Sequence, residues 1–219
     1  MDLSSIFDYT LIYATIRAST PILFAALAAV ITQQGNILNI GTEGIMLTAA
    51  FVAVLVSYTT GSWVFALILA MAAGVLMALI MAVASIKYNA DMTAIGTAIN
   101  ALALAVTKFG IKQFLGTTGS FTDPKIIGIP RINIPIFEGN KYLNGIFNNW
   151  SLMELLGIVM VLVLAFLLYR TVWGLRLRSV GHSPMAAETA GINVKKMKYQ
   201  IMIISGILGG RRRSGSGRL

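Results

Sequence analysis

Four nearly uncharged apolar stretches occupy residues 11–32, 44–60, 62–86 and 92–115, and a fifth follows at 152–169. A helix rises about 1.5 Å per residue and the hydrocarbon layer of a bilayer is about 30 Å thick, so roughly 20 apolar residues cross it. A soluble domain carries about 25% charged residues. This chain of 219 residues carries 11%, with a mean hydropathy of +0.79, and cannot build a water-facing surface from its own side chains. In hydrocarbon every backbone N–H and C=O needs a partner within its own segment, which leaves helices as the solution. The expected fold is therefore all-α: a polytopic transmembrane helical bundle of about five full spans. A partial sixth span starts near Tyr199 and reads IMIISGILGG before RRRSGSGRL. Small residues recur along the spans (Ala25, Ala26, Ala28 and Ala29; Ala70, Ala72, Ala73 and Gly74; Ala101 and Ala103) and allow close helix approach.

The net charge of +9 does not point to nucleic acid, because the excess lies beside the spans. Residues 170–198 carry Arg170, Arg176, Arg178, Lys195, Lys196 and Lys198 against Glu188 alone. Residues 116–151 carry Lys125, Arg131 and Lys141 against Asp123 and Glu138. Basic loops stay inside, so the first is expected in the cytoplasm and the second outside. Counting backwards puts 87–91 and 33–43 inside, and residue 61 and the acidic N-terminus outside. The 33–43 loop has no Lys or Arg to reinforce that count, and Lys108 and Lys112 lie toward the outer end of the fourth span. MDLSSIFDYT has no basic n-region, so no removable signal peptide is expected and the first span serves as its own insertion signal. Trp63 and Trp150 stand at span ends as interfacial anchors would. The outer loop, with its Ile-Pro steps, is expected to form short extended pieces; its Asn149-Trp150-Ser151 sequon carries little weight. With no cysteine and one histidine, neither a disulfide framework nor a metal site is expected.

Two stretches carry functional chemistry. In QGNILNIGTEG, Gln34 to Gly44, three glycines and two asparagines interrupt an apolar region. One reading is a short turn between helices. The other is a broken segment lining a passage, because non-helical backbone at membrane depth survives only against protein or water. On that second reading an uncompensated carboxylate would be costly, so Glu43 is expected to face a cavity or a partner. Asn100 lies mid-span, as an interhelical hydrogen-bonding amide or a pathway-lining one. Arg17, in the first span, is expected to snorkel to the outer interface.

The other stretch lies within the basic loop. Ser183 can cap a short helix with Pro184 in its first turn, and Gly191 sits where a C-terminal cap belongs. Met185, Ala186, Ala187 and Ala190 would give it a small, smooth face. Such a helix is either an ordinary connector or a knob docking into a groove of another protein.

GLRLRSVGHSPMAAETAGINVKKMKYQIMIISGILGG resembles the cytoplasmic coupling segment of permease subunits of bacterial ABC importers, the group serving simple sugars, nucleosides and branched-chain amino acids. QQGNILNIGTEGIMLTAAFVAV is similar to that family's early Asn-Ile-Gly-x-Glu-Gly motif, most like its nucleoside branch, and NADMTAIGTAINALA to the helix that follows. The likeness spans about residues 10–210. It implies an importer permease subunit of the bacterial inner membrane that passes a small polar solute, with a nucleoside first and a simple sugar as the alternative. A secondary transporter or a channel fits less well, since neither needs a capped cytoplasmic helix and no matching repeat halves are found. The resemblance implies coupling to the ATPase through Gly181, His182, Pro184, Ala186, Ala187, Ala190 and Gly191, and a translocation pathway touching Asn39, Gly41, Glu43, Gly44 and Asn100. No G-x-x-x-x-G-K-[ST] loop occurs, so ATP belongs to a separate cytoplasmic ATP-binding subunit and the chain itself is not expected to be an enzyme or to need a cofactor. Further implied partners are a second permease subunit, identical or different, a substrate-binding protein on the outer side, and the lipid bilayer. The domain expectation is a permease domain over 1–210, incomplete, with 211–219 set apart by composition as a scar, frameshift or truncation.

Overall fold

The computed structural model describes residues 9–116, 131–132 and 150–210, with the side chains of 9–14, Arg17, 131–132 and Trp150 outside that description. The expectations for the Arg17 and Trp150 side chains, for the sequon, for most of the 116–151 loop and for 211–219 fall outside the described residues.

The expected spans are helices. α1 is Tyr9–Gln34, α2 Thr42–Thr60, α3 Trp63–Ala82, α4 Met92–Leu115 and α5 Leu152–Arg170. A π-helical turn, Val83–Lys87, extends α3. Thr42–Thr60, Trp63–Lys87, Met92–Leu115 and Leu152–Arg170 are each long and apolar enough to cross a membrane, and α1 adds the apolar run Ala18–Gln34. Among the described residues the only strand pairing is a two-residue antiparallel contact of β1 (Arg131–Ile132) with β2 (Trp150–Ser151). The protein is a polytopic membrane bundle. Large apolar side chains remain on its outside, such as Phe65, Leu76, Phe109, Leu162 and Phe166, each at least 60% exposed. Acyl chains solvate such a surface; water does not.

Polar residues set the helix ends. Asp91 caps α4, accepting from the Ala94 N–H at 2.8 Å. Ser151 and Glu154 form a reciprocal capping box at the start of α5. α1 ends in a Schellman motif: the Ile37 N–H donates to the Thr32 carbonyl and the Asn36 N–H to that of Gln33, both at 3.0 Å. The left-handed residue of that motif is Asn36, at φ +54, rather than the preceding Gly35.

The basic connector differs from expectation. It holds two helices ahead of the sixth span: α6 (Val172–His182) and α7 (Pro184–Thr189). α6 forms because Trp173, Leu177 and Val180 recur at i, i+4 and i+7, and because Thr171 caps it by accepting from Gly174 N–H. The sixth span, α8 (Val194–Gly209), starts five residues before Tyr199, because Asn193 caps it and Val194, Met197 and Ile201 continue its buried stripe past the lysines.

α8 is the element that closes the bundle. It packs against α3 and α1, while α2 packs against α3 and α4, and α5 against α1 and α6. Its crossing with α3 is glycine on glycine: a Cβ on Gly74 would lie 2.5 Å from the Gly206 carbonyl, and one on Gly206 2.8 Å from that of Gly74. Backbone meets backbone there, with only the small Ala78 side chain beside it, as small-residue contacts in lipid allow.

Candidate functional site

The break between α1 and α2 does not sit on the surface of the bundle. Gly41 lies against Met81 of α3 and Ile99 of α4, and a Cβ on Gly96 of α4 would be 2.9 Å from Ile40 Cβ. Met81 precedes Lys87, the end of the α3 extension, by six residues, or about 9 Å of helix. The non-helical backbone is therefore at membrane depth, and its polar groups need partners from other elements.

Asn100 supplies them. Its Nδ2 donates to the Ile40 carbonyl at 3.1 Å, and its Oδ1 accepts from the Gly44 N–H at 2.7 Å. Gly41, the N-cap of α2, has no side chain to satisfy the first turn. An amide two helices away does the capping instead. The close fit requires glycine at position 44, where a Cβ would be 2.9 Å from Asn100 Cα and 3.0 Å from the Ile99 carbonyl.

Asn39 is held from the other side by α8. Its Nδ2 donates to Ser205 Oγ at 3.0 Å, while its buried Oδ1 has no hydrogen-bond partner among the described residues. The structure thus gathers Asn39, Gly41, Gly44 and Asn100 at one place where α2, α3, α4 and α8 converge. It does not bring Glu43 into that cluster: Glu43, in the first turn of α2, is exposed on this chain. Thr97, beside Asn100 in sequence, is exposed and bonds back to Thr93 and Ala94 of its own helix. Ser205 was missed from sequence, although the Ser-Gly pair it belongs to was visible in the sixth apolar run.

At the basic end, α7 is capped at both ends by the residues read from sequence. Ser183 Oγ accepts from the Ala186 N–H at 3.4 Å, and Pro184 holds the first position. A second Schellman motif ends the helix: the Ile192 N–H donates to the Ala187 carbonyl at 3.0 Å and the Gly191 N–H to that of Glu188 at 2.9 Å, with Gly191 at φ +80. The expected smooth face is divided, because Ala187 points inward rather than lying on it. Ala187 is 3% exposed and belongs to the hydrophobic core, so it anchors α7 to its own chain. Met185 is 80% exposed, and His182, Ala186, Ala190 and Gly191 also face outward. Gly181 packs on the backbone of Gln34, at the end of α1, and so joins the base of α7 to the break.

Between α6 and α8 lies a groove of about 510 Å³, bordered by Trp173, Arg176, Gly191, Asn193, Lys196 and Gln200. Trp173 Nε1 donates to Gln200 Oε1 at 3.1 Å across its floor.

The profile of the family described as "Branched-chain amino acid transport system / permease component" matches residues 11–211. The chain is 39% identical over 221 residues to the guanosine ABC transporter permease protein NupQ of Bacillus subtilis, covering 95% of this chain and 65% of that protein. It is 35% identical over 200 residues to the nucleoside ABC transporter permease protein NupC of Lactococcus lactis, covering 88% and 62% respectively. A second Bacillus subtilis guanosine permease protein, NupP, is 28% identical over 213 residues, covering 90% and 56%. The chain thus spans less than two thirds of the length of these relatives. No solved structure matches it.

Proposed function

The chain belongs to the branched-chain amino acid transport system permease component family, and on that premise we propose that it is the membrane-spanning part of an ATP-driven importer. In this proposal it sits in a bacterial inner membrane and passes a nucleoside. A separate cytoplasmic subunit hydrolyses ATP, a second permease chain completes the pathway, and a binding protein delivers the solute from outside. The named relatives act on guanosine and nucleosides, which favours that substrate class.

The observation that carries the proposal is the rigid presentation of α7. A helix of six residues is too short to be stable by itself. Here it is capped at both ends, anchored through Ala187 and exposed along Met185, Ala186 and Ala190. That is the construction of a handle: a force applied to α7 reaches α1 through Gly181 and α8 through the Gly191 turn. Gly181, His182, Pro184, Ala186, Ala190 and Gly191 are accordingly proposed as the coupling surface, with Ala187 holding it in place.

Asn39, Gly41, Gly44 and Asn100 are proposed to flank the solute path. Asn39 Oδ1 is buried and has no hydrogen-bond partner among the described residues, so it becomes an acceptor for a polar solute only when the path opens beside it. Glu43 lies next to a break that is at membrane depth, and an exposed carboxylate there is costly in lipid. It therefore faces a water-filled path or the second permease chain. The test is reconstitution of the complete permease with its ATP-binding and solute-binding partners, followed by uptake of labelled nucleosides and pentoses. Nucleoside-stimulated ATP hydrolysis supports the proposal. Stimulation by pentoses alone reassigns the substrate, and stimulation by neither refutes it.

A further inference from the structure

The groove between α6 and α8 lies apart from Asn39, Gly41, Gly44 and Asn100 and meets the α7 surface only at its rim, through Ala190 and Gly191, and its depth can be placed. Gly206 meets Gly74, the twelfth residue of the 25-residue span Trp63–Lys87, and so lies near the bilayer centre. Lys196 is ten residues earlier on α8, about 15 Å along the helix, which is half the hydrocarbon thickness of about 30 Å. The mouth of the groove is thus at headgroup level. Its flank is apolar, for Val172 and Leu175 on α6 are 66% and 58% exposed and continue the exposed surface of Phe166 and Tyr169 on α5.

Its lining is built for a phosphate. Arg176 and Lys196 approach from the two facing helices, and both are exposed. The carboxylate nearest in sequence, Glu188 on α7, is not among the lining residues. Because Gln200 Oε1 accepts from Trp173, the Gln200 amide N–H groups are the donors left on that wall. Trp173 is a half-buried indole with its N–H satisfied, the arrangement found where one ring edge is wet and the other is among acyl chains. Two cations, an amide donor and an aromatic plate at headgroup depth match one chemistry. We propose that this groove binds the phosphodiester headgroup of an anionic phospholipid, in the leaflet on the side of α7.

Basic pockets between spans on the cytoplasmic side attract such lipids. A bound headgroup would tie α6 to α8 beside the Gly191 turn and fix the base of α7. The inference holds whatever solute crosses.

The test uses the complete permease in phosphatidylcholine nanodiscs, with Trp173 as the single tryptophan and all others changed to Phe. Brominated phosphatidylglycerol or brominated phosphatidylcholine is titrated in, and quenching of Trp173 is read. Saturable quenching at several-fold lower mole fraction of phosphatidylglycerol is expected. Arg176→Gln with Lys196→Gln should abolish that preference, and Arg176→Lys with Lys196→Arg should keep it. Equal quenching by both lipids, or a preference unchanged in the double Gln variant, overturns the proposal. So does displacement by millimolar inorganic phosphate, which would mark a soluble-phosphate site, or by the ATP-binding subunit, which would mark an acidic protein surface.

Discussion

Replacing Asn100 tests whether one side chain holds the break open. Its amide makes two hydrogen bonds to backbone groups of the break, at 2.7 and 3.1 Å. Asn100→Leu keeps the volume and removes both, leaving the Gly44 N–H and the Ile40 carbonyl to find other partners. An unsatisfied buried polar group costs about 1–3 kcal/mol in water-soluble proteins. Hydrogen bonds between membrane helices average about 0.6 and reach about 1.7 kcal/mol. Asn100 is half-buried, so two bonds at the membrane values sum to about 1–3 kcal/mol. Local opening of the α2 N-terminus then becomes about 5- to 150-fold more frequent. Hydrogen exchange of the complete permease, followed by mass spectrometry of peptides covering residues 40–48, reads this directly, with α5 as internal control. Asn100→Ala separates hydrogen bonding from packing: it should match Asn100→Leu if the amide matters and be clearly worse if volume does. Unchanged protection of residues 40–48 in both variants would refute the trans-capping argument.

Further outcomes follow from α7 and α8. Met185→Arg, at an exposed position, should leave the permease folded and abolish substrate-stimulated ATP hydrolysis, whereas Ala187→Arg should lower the yield of folded permease, because it forces a charge into a core position 3% exposed. Size-exclusion recovery alongside ATPase assays distinguishes the two. Gly191→Pro removes the N–H bonded to Glu188 and forbids φ +80, so it should uncouple ATP hydrolysis from uptake without loss of membrane insertion; coupling retained in this variant would show that the turn is only a connector. Gly206→Val should separate α8 from α3, costing at least about 2 kcal/mol by overpacking, as read by denaturant unfolding in micelles. A single cysteine at Ser183 should react with an impermeant maleimide only in inverted vesicles; labelling in intact cells would reverse the proposed topology.

Much was legible in the chain because the physics there is local. The absence of charge over five long stretches required membrane helices, since lipid leaves the backbone no other partners. Capping was equally readable, for Ser183, Pro184 and Gly191 act within a few residues of themselves. The signal for α6 is local too: Trp173, Leu177 and Val180 recur at helical spacing, with the arginines between them masking the apolar stripe.

The tertiary structure decided what distance in sequence concealed. Nothing local announces that Asn100 would cap a helix 56 residues upstream, or that Ser205 would bond Asn39 across 166 residues. An interior amide looks the same in sequence whether it faces a helix or a passage. Nor could the chain alone say which alanine of α7 points inward, because Ala186 and Ala187 differ only by the 100° turn that separates neighbours on a helix. Orientation of a short helix is set by what it packs on, here α6 and α8, and that surface exists only once the bundle has closed.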